Sequence, residues 1–169
     1  KKVWGIHTQD DSLFLQGNVI AIGWEEMGDL SVLAPDRESF RDKYLAVFPD
    51  AKKGSVATSS GMLFRFVHEM QIGDYVVFPS KTDRMVNIGV VESKYQYSPN
   101  AIEYKQQRSV KWIKHLPRMS FSQGALYEIG SFMSLFTVKN YADEFLSALD
   151  KGFKKSLPEE DESVGATAE

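Results

Sequence analysis

The chain contains no cysteine, which excludes disulfides, thiolate zinc sites and cysteine nucleophiles. It also lacks the apolar run of about 18 residues that a membrane-spanning helix needs, and it shows no basic segment followed by an apolar stretch of the signal-peptide kind. Together these absences predict a cytoplasmic protein with no membrane partner. The GxSxG, P-loop and dinucleotide-binding motifs are absent too, so the sequence offers no motif for those enzyme classes.

The chain also has no strong excess of positive or negative charge. The formal net charge is −3, which argues against a protein that binds polyanions over its whole surface. The distribution is uneven, however, because residues 81–118 carry eight basic residues against three acidic ones. The bases are Lys81, Arg84, Lys94, Lys105, Arg108, Lys111, Lys114 and Arg118, and the acids are Asp83, Glu92 and Glu103. This segment predicts a basic face, the alternative being ordinary solvated strand surfaces.

With 169 residues, 43% of them hydrophobic and 25% charged, the chain is long enough for one globular domain with a substantial core. Apolar runs and alternation predict strands over residues 3–8, 17–23, 75–79, 86–91, 109–116 and 135–138. Helical spacing predicts helices over residues 36–48, 59–70, 122–129 and 141–149, with Ser59 or Ser60 as the cap of the second. The fold class is therefore predicted as α+β, a small mixed β-barrel with helices packed outside.

The predicted domain covers residues 1–151. Residues 152–169 are polar and mainly acidic, which is typical of a disordered tail or linker.

The central part of the chain carries a family resemblance. A helix over residues 60–70 is followed by Gly73-Asp74, the strand YVVFP, the strand VNIGVV and the aromatic loop Tyr95-Gln-Tyr97-Ser-Pro99-Asn100. This order resembles the EVE/YTH branch of the PUA-like superfamily. The resemblance implies a small barrel domain that receives a modified nucleobase in a pocket.

A wider pattern is similar to one group of proteins. The segments VIAIGWEEMGDL (19–30), FPDA (48–51) and GMLFRFV (61–67), with later matches around Trp112, Pro117 and residues 122–130, look like the N-terminal domain of Mrr-like, modification-dependent restriction endonucleases. This resemblance implies binding of double-stranded DNA that carries a modified base. It also implies a separate nuclease domain after the acidic tail, and no catalysis, cofactor or metal in this chain.

The resemblance also implies the residues of the base pocket. Trp24 ends an apolar strand, and an indole at a pocket mouth can stack on a base; the alternative is a core residue that covers the barrel. Ser59 and Ser60 stand where YTH domains carry a cage tryptophan, and they can equally be helix caps. The remaining walls would come from Phe78, Tyr95 and Tyr97, with Tyr104 as a further candidate. These rings can alternatively pack the loop onto the barrel.

Phosphate contacts are predicted at Lys94, Arg108, Lys111, Lys114 and Arg118. Such contacts position nucleic acid without reading its sequence. The mechanism would then be base flipping, with the modified base leaving the stack for the pocket.

Other functions stay open at this point. An RNA reader of the same fold would retain the basic face, whereas a protein-binding or small-ligand module would not need it. Asp83, Glu92 and Lys94 imitate the spacing of a metal-dependent nuclease site, but Asp83 falls in a predicted hairpin tip. His7, His68 and His115 are widely separated and predict no metal site.

Overall fold

The computed structural model describes residues 1–150, so the predicted acidic tail lies outside the described residues. The strands are β1 Val3–Ile6, β2 Val19–Ile22, β3 Tyr75–Pro79, β4 Met85–Val91, β5 Gln96–Tyr97, β6 Gln106–Pro117 and β7 Leu135–Thr137. The α-helices are α1 Asp11–Gly17, α2 Arg37–Val47, α3 Lys53–Phe64, α4 Gln123–Ile129 and α5 Ala142–Ser147.

All seven strands join one mixed sheet in the order β2-β6-β4-β3-β1-β7, with β5 paired to β6. Only β1 and β3 pair in parallel; the other described pairs are antiparallel. The sheet curls into half of a barrel with the helices outside it. The α+β class is thereby confirmed, while β2 and β7 remain the two edges of the sheet among the described strands.

The sheet buries apolar side chains on both faces, and β3 shows how. Val76 and Phe78 belong to a core cluster with residues of α1, α2 and α3, whereas Val77 belongs to a second cluster with residues of α4 and α5. Alternate residues of a strand point to opposite faces, so a continuous apolar run such as VVF is what a sheet covered on both sides requires.

The Gly73-Asp74 turn ties β3 to the start of the chain. Gly73 has φ 95°, a conformation that glycine adopts without steric cost. Asp74 is only 2% exposed, and its carboxylate accepts hydrogen bonds from Gln71 N at 2.9 Å, Lys2 N at 3.2 Å and Trp4 Nε1 at 3.0 Å. The carboxylate therefore holds the turn and also joins it to β1.

A β-bulge interrupts the pairing of β4 with β6. Gly89 pairs with Trp112 and Ile88 pairs with Lys114, which leaves Ile113 as the extra residue. A Cβ on Gly89 would lie 2.6 Å from Val110 Cγ1 and 2.9 Å from Lys111 O. This glycine therefore allows the close approach of the neighbouring strand.

Two helices differ from the prediction. Residues 11–17 form α1, capped by Asp10, whose carboxylate accepts from Leu13 N at 3.1 Å. The sequence had predicted no helix between the strands over 3–8 and 17–23. The helix predicted to begin at Ser59 or Ser60 begins instead at Lys53. Neither serine is a cap, because burial of Val56 extends the packed face of α3 towards its N-terminus.

Candidate functional site

A cleft of about 470 Å³ opens between the end of β2 and the segment that precedes β7. It lies where the two edge strands leave the half-barrel open. We call it the Trp24 cleft. Its lining residues come from five separate parts of the chain: His7, Thr8, Gln9, Ile22, Gly23, Trp24, Lys81, Tyr104, Ser131, Phe132 and Ser134.

Three aromatic rings line the cleft. Trp24 follows β2 and is half-buried, Tyr104 precedes β6, and Phe132 is 97% exposed. The Tyr104 hydroxyl accepts a hydrogen bond from Gln9 N at 2.9 Å, which ties this ring to the opposite wall. Flat rings around an open cleft provide the surfaces on which a planar ligand stacks.

The backbone around the cleft is strained. Within residues 1–150, the non-glycine residues with positive φ are Asn18, Trp24, Arg84 and Tyr104. Trp24 has φ 64° and Tyr104 has φ 58°, values that are unfavourable for bulky side chains. Such strain persists only where the surroundings enforce it, and it concentrates at functional sites.

A buried network enforces the conformation of the Trp24 segment. Gln106 is fully buried and donates through Nε2 to Gly28 O at 2.9 Å and Trp24 O at 3.4 Å. Its Oε1 accepts from the Tyr95 hydroxyl, which itself accepts from Leu30 N at 3.0 Å. Glu25 adds a second tie, because its carboxylate accepts from Tyr104 N at 2.6 Å.

His7 lies at the polar end of the cleft. Burial lowers its pKa below the usual 6.5, the charge of Lys81 lowers it further, and polar backbone groups of Ile129 and Ser131 act in the opposite direction. The folded protein therefore favours the neutral imidazole.

This pKa shift predicts a pH dependence of stability. The unfolded chain binds the His7 proton more readily than the folded one, so the free energy of unfolding should fall as the pH drops from about 7.5 to about 5.5. Burial of His68 acts in the same direction. Urea unfolding at several pH values should show a shallower dependence for His7→Gln than for the wild type. An unchanged slope would show that His7 is not held neutral.

The predicted pocket residues do not all meet in the cleft. Trp24 lines it. The Tyr95 hydroxyl is instead hydrogen-bonded to Leu30 N and Gln106, and burial raises the pKa of this hydroxyl to about 12. Phe78 is fully buried, 4.9 Å from Phe14 between ring centroids, so it has no surface to offer a base. Ser60 is 5% exposed in the middle of α3.

The other two predicted pocket residues lie outside the Trp24 cleft. Ser59 is half-buried in α3 and Tyr97 is half-buried in β5, opposite Gln106. Neither is among the residues that line the Trp24 cleft. The cleft takes its other rings from Tyr104 and Phe132, and Phe132 carries only a weak sequence signal, a lone aromatic residue in the turn-rich segment GSFMS.

Arg108 is wrongly predicted as a phosphate contact. It is 2% exposed, and its guanidinium donates to Ser93 O at 3.0 and 2.9 Å, Phe66 O at 2.9 Å and Met70 O at 2.7 Å. Burial lowers its pKa to about 10, with the charge of Asp74 opposing that shift. Its donors are used inside the fold and cannot reach nucleic acid.

The other predicted phosphate contacts remain accessible. Lys94 and Lys111 are exposed, and Lys114 and Arg118 are half-exposed. Lys111 pairs with Val90 and Lys114 with Ile88, two positions that share one face of β4. Paired residues point to the same side, so the bulge at Ile113 brings both lysines onto one face of β6.

A second cavity of about 170 Å³ adjoins the cleft and shares His7 and Lys81 with it. We call it the cation cavity. Arg84 and Arg118 also line it. Lys81 and Arg84 belong to the basic segment of residues 81–118, but no feature of the sequence predicted that this segment lies near Trp24. Only the fold brings the β3–β4 turn beside the residues that follow β1.

Asp83, one of the residues that imitate a nuclease site, has structural partners. The Asp83 carboxylate accepts from the Ser80 hydroxyl and from Met85 N at 3.1 Å, and His115 Nε2 lies 3.2 Å from it. The other ring nitrogen of His115 contacts Asn87. Asp83 thus organises the β3–β4 turn.

Residues 7–139 match a domain family described as a domain of unknown function, DUF8426. The chain belongs to this family. No curated protein and no solved structure matches it. Among the helices of residues 1–150, none has the length and apolar character that crossing a membrane requires.

Proposed function

We propose that this chain is a recognition module for a modified base in double-stranded DNA. In this proposal it has a PUA-like fold of the EVE/YTH type and serves as the specificity domain of a modification-dependent restriction endonuclease. A nuclease domain elsewhere in the full-length protein would cleave the DNA. The curled mixed sheet with helices outside is compatible with that fold type.

The observation that carries the proposal is an aromatic cleft beside basic side chains that form no ion pair within residues 1–150. Trp24, Tyr104 and Phe132 line a space of about 470 Å³, which lies within the range of ~300–1,000 Å³ typical of small-ligand sites. Lys81 belongs to both this cleft and the cation cavity. A nucleotide requires both elements, a surface on which its base stacks and a positive site for its phosphate.

Recognition would proceed by base flipping. Extruding the base loses a few kcal/mol of stacking and pairing. In the cleft, stacking of the base on an aromatic ring contributes about 1–3 kcal/mol of binding free energy. Thr8, Gln9, Ser131 and Ser134 would supply the hydrogen-bonding groups that distinguish the modified base from the ordinary one. Lys94, Lys111 and Lys114 would add attraction that is independent of sequence.

Fluorescence anisotropy at fixed salt tests the proposal. The panel holds matched duplexes with cytosine, 5-methylcytosine, 5-hydroxymethylcytosine, glucosylated cytosine and N6-methyladenine, together with single-stranded RNA. Tighter binding to one modified duplex is expected. Preference for modified RNA would favour an RNA reader of the same fold. Equal, weak and salt-sensitive binding to every probe would overturn the proposal and favour a protein or small-ligand partner.

A further inference from the structure

Three basic side chains line the cation cavity. Lys81, Arg84 and Arg118 line a space of about 170 Å³. Within residues 1–150, none of the three forms an ion pair. The carboxylates nearest to the turn are those of Asp83, which accepts from Ser80 and Met85 N and lies beside His115, and of Asp11, which accepts from backbone N–H groups. Three like charges around one cavity repel one another, so an anion placed among them would be stabilised.

Two residues that line the cation cavity each carry a buried side-chain nitrogen without a hydrogen-bond partner. Among the described residues, the buried side-chain nitrogens without a hydrogen bond include Arg118 Nε and His7 Nε2. A buried polar group without a partner is costly, and the large majority of such groups are satisfied. Arg118 Nε always carries a proton, and His7 Nε2 donates whenever it carries the ring proton. Both atoms belong to residues that line the cavity.

The turn that supplies Lys81 and Arg84 is held rigidly. Asp11 is 7% exposed, and its Oδ2 accepts from Lys81 N at 2.7 Å and Thr82 N at 2.8 Å. Arg84 has φ 61°, so its backbone is fixed in a conformation that arginine rarely adopts. A rigid turn loses little conformational freedom when a ligand binds, which favours affinity.

We propose that the cation cavity is a binding site for one phosphate group, held by Lys81, Arg84, Arg118 and His7. Arginine presents several donors to phosphate oxygens, and lysine adds a compact charge. The assignment rests on the proposed function in one respect, because the shared residues His7 and Lys81 would place this phosphate beside a base in the Trp24 cleft. The phosphate could belong to a nucleic-acid backbone or to a free nucleotide.

NMR on the complete chain tests the site through the Arg118 Nε–Hε resonance. The titrants are inorganic phosphate, a nucleoside 5′-monophosphate and an unmodified DNA duplex. Saturable shifts of this resonance are expected, with binding about tenfold weaker in Arg84→Gln. Arg41→Gln is the matched control, since it removes the same charge from an exposed position on α2, and it should bind like the wild type.

The outcomes separate the sources of the phosphate. Saturable binding of inorganic phosphate or the mononucleotide supports the site and indicates a free ligand. Binding of the duplex alone, weakened in Arg84→Gln but not in Arg41→Gln, supports the site and indicates a backbone phosphate. Equal weakening in Arg41→Gln, or no saturable shift with any titrant, overturns the site.

The two proposals can fail separately. Trp24→Ala should leave binding of inorganic phosphate unchanged, because Trp24 does not line the cation cavity. Phosphate binding without any preference among modified duplexes would refute base recognition alone. Preference for a modified duplex that survives in Arg84→Gln and Arg118→Gln at full affinity would refute the phosphate site alone.

Discussion

Replacing Arg108 by methionine should lower the free energy of unfolding by about 3–5 kcal/mol, because removing one side of a buried charged network leaves its partners unsatisfied. The partners are the carbonyl oxygens of Phe66, Met70 and Ser93. Methionine fills much of the volume but offers no donor. Arg108→Lys should also destabilise, since one ammonium group cannot reproduce the fork of donors. Urea unfolding followed by circular dichroism gives both values.

Lys111→Met is the matched control for this prediction. Lys111 lies on the same strand and is exposed, so the same loss of charge should change stability by less than about 0.5 kcal/mol. If the two variants were equally stable and Arg108→Met instead weakened DNA binding, the guanidinium would have to point outward, contrary to the structure.

Replacing Trp24 by alanine should weaken binding to the preferred modified duplex by about 5- to 150-fold, which corresponds to the loss of one stacked base. Binding to the unmodified duplex should change far less, because contacts to the phosphates remain. Trp24→Tyr retains a ring and should recover part of the affinity. Anisotropy titrations at fixed salt measure each case, and thermal unfolding verifies that the variants are folded.

Tyr97→Ala provides the control that separates two possible pockets. Tyr97 is in the predicted pocket but does not line the Trp24 cleft. We expect its loss to leave modified-base binding within about twofold of the wild type, since surface substitutions away from a site have small effects. If Tyr97→Ala weakened binding as much as Trp24→Ala, or more, the base would enter near β5 instead of between the two edge strands.

The hairpin of β3 and β4 was predictable because its signals are local. An apolar run, a short polar turn and a second apolar run specify such a hairpin with little help from the rest of the fold. The helix α2 was predictable for the same reason. Asp36 caps it by accepting from Ser39 N at 2.7 Å, and Phe40 and Tyr44 form its buried side. In these segments, local preference and tertiary packing agree.

Arg108 shows where prediction from the local sequence pattern fails. In β6 the buried positions Gln106, Arg108 and Val110 alternate with half-exposed Gln107 and Ser109, so two of the three inward side chains are polar. A charged residue in an alternating strand is ordinarily assigned to the solvent side. The backbone carbonyls that satisfy Arg108 come from Phe66, Met70 and Ser93, and no pattern within β6 reveals them.

The candidate site was predictable only in part for a related reason. Trp24 stood out because it ends an apolar strand. Tyr104, Phe132 and Lys81 come from segments far apart in the chain, and they meet Trp24 only because the sheet curls and leaves its edges open. The left-handed backbone at Trp24, Tyr104 and Arg84 depends on tertiary contacts, which single-residue preferences do not contain.

The position of β1 governs the order in which this protein can fold. β1 lies between β3 and β7, with Val3 paired to Tyr75 and Gly5 paired to Phe136. Of the seven strands described here, β1 is synthesised before the others, and it is the one whose second neighbour is synthesised last. Contacts across such long stretches of chain slow folding. Until residues 135–137 emerge, one edge of β1 stays unpaired, and that edge is open to chaperones and to other nascent chains.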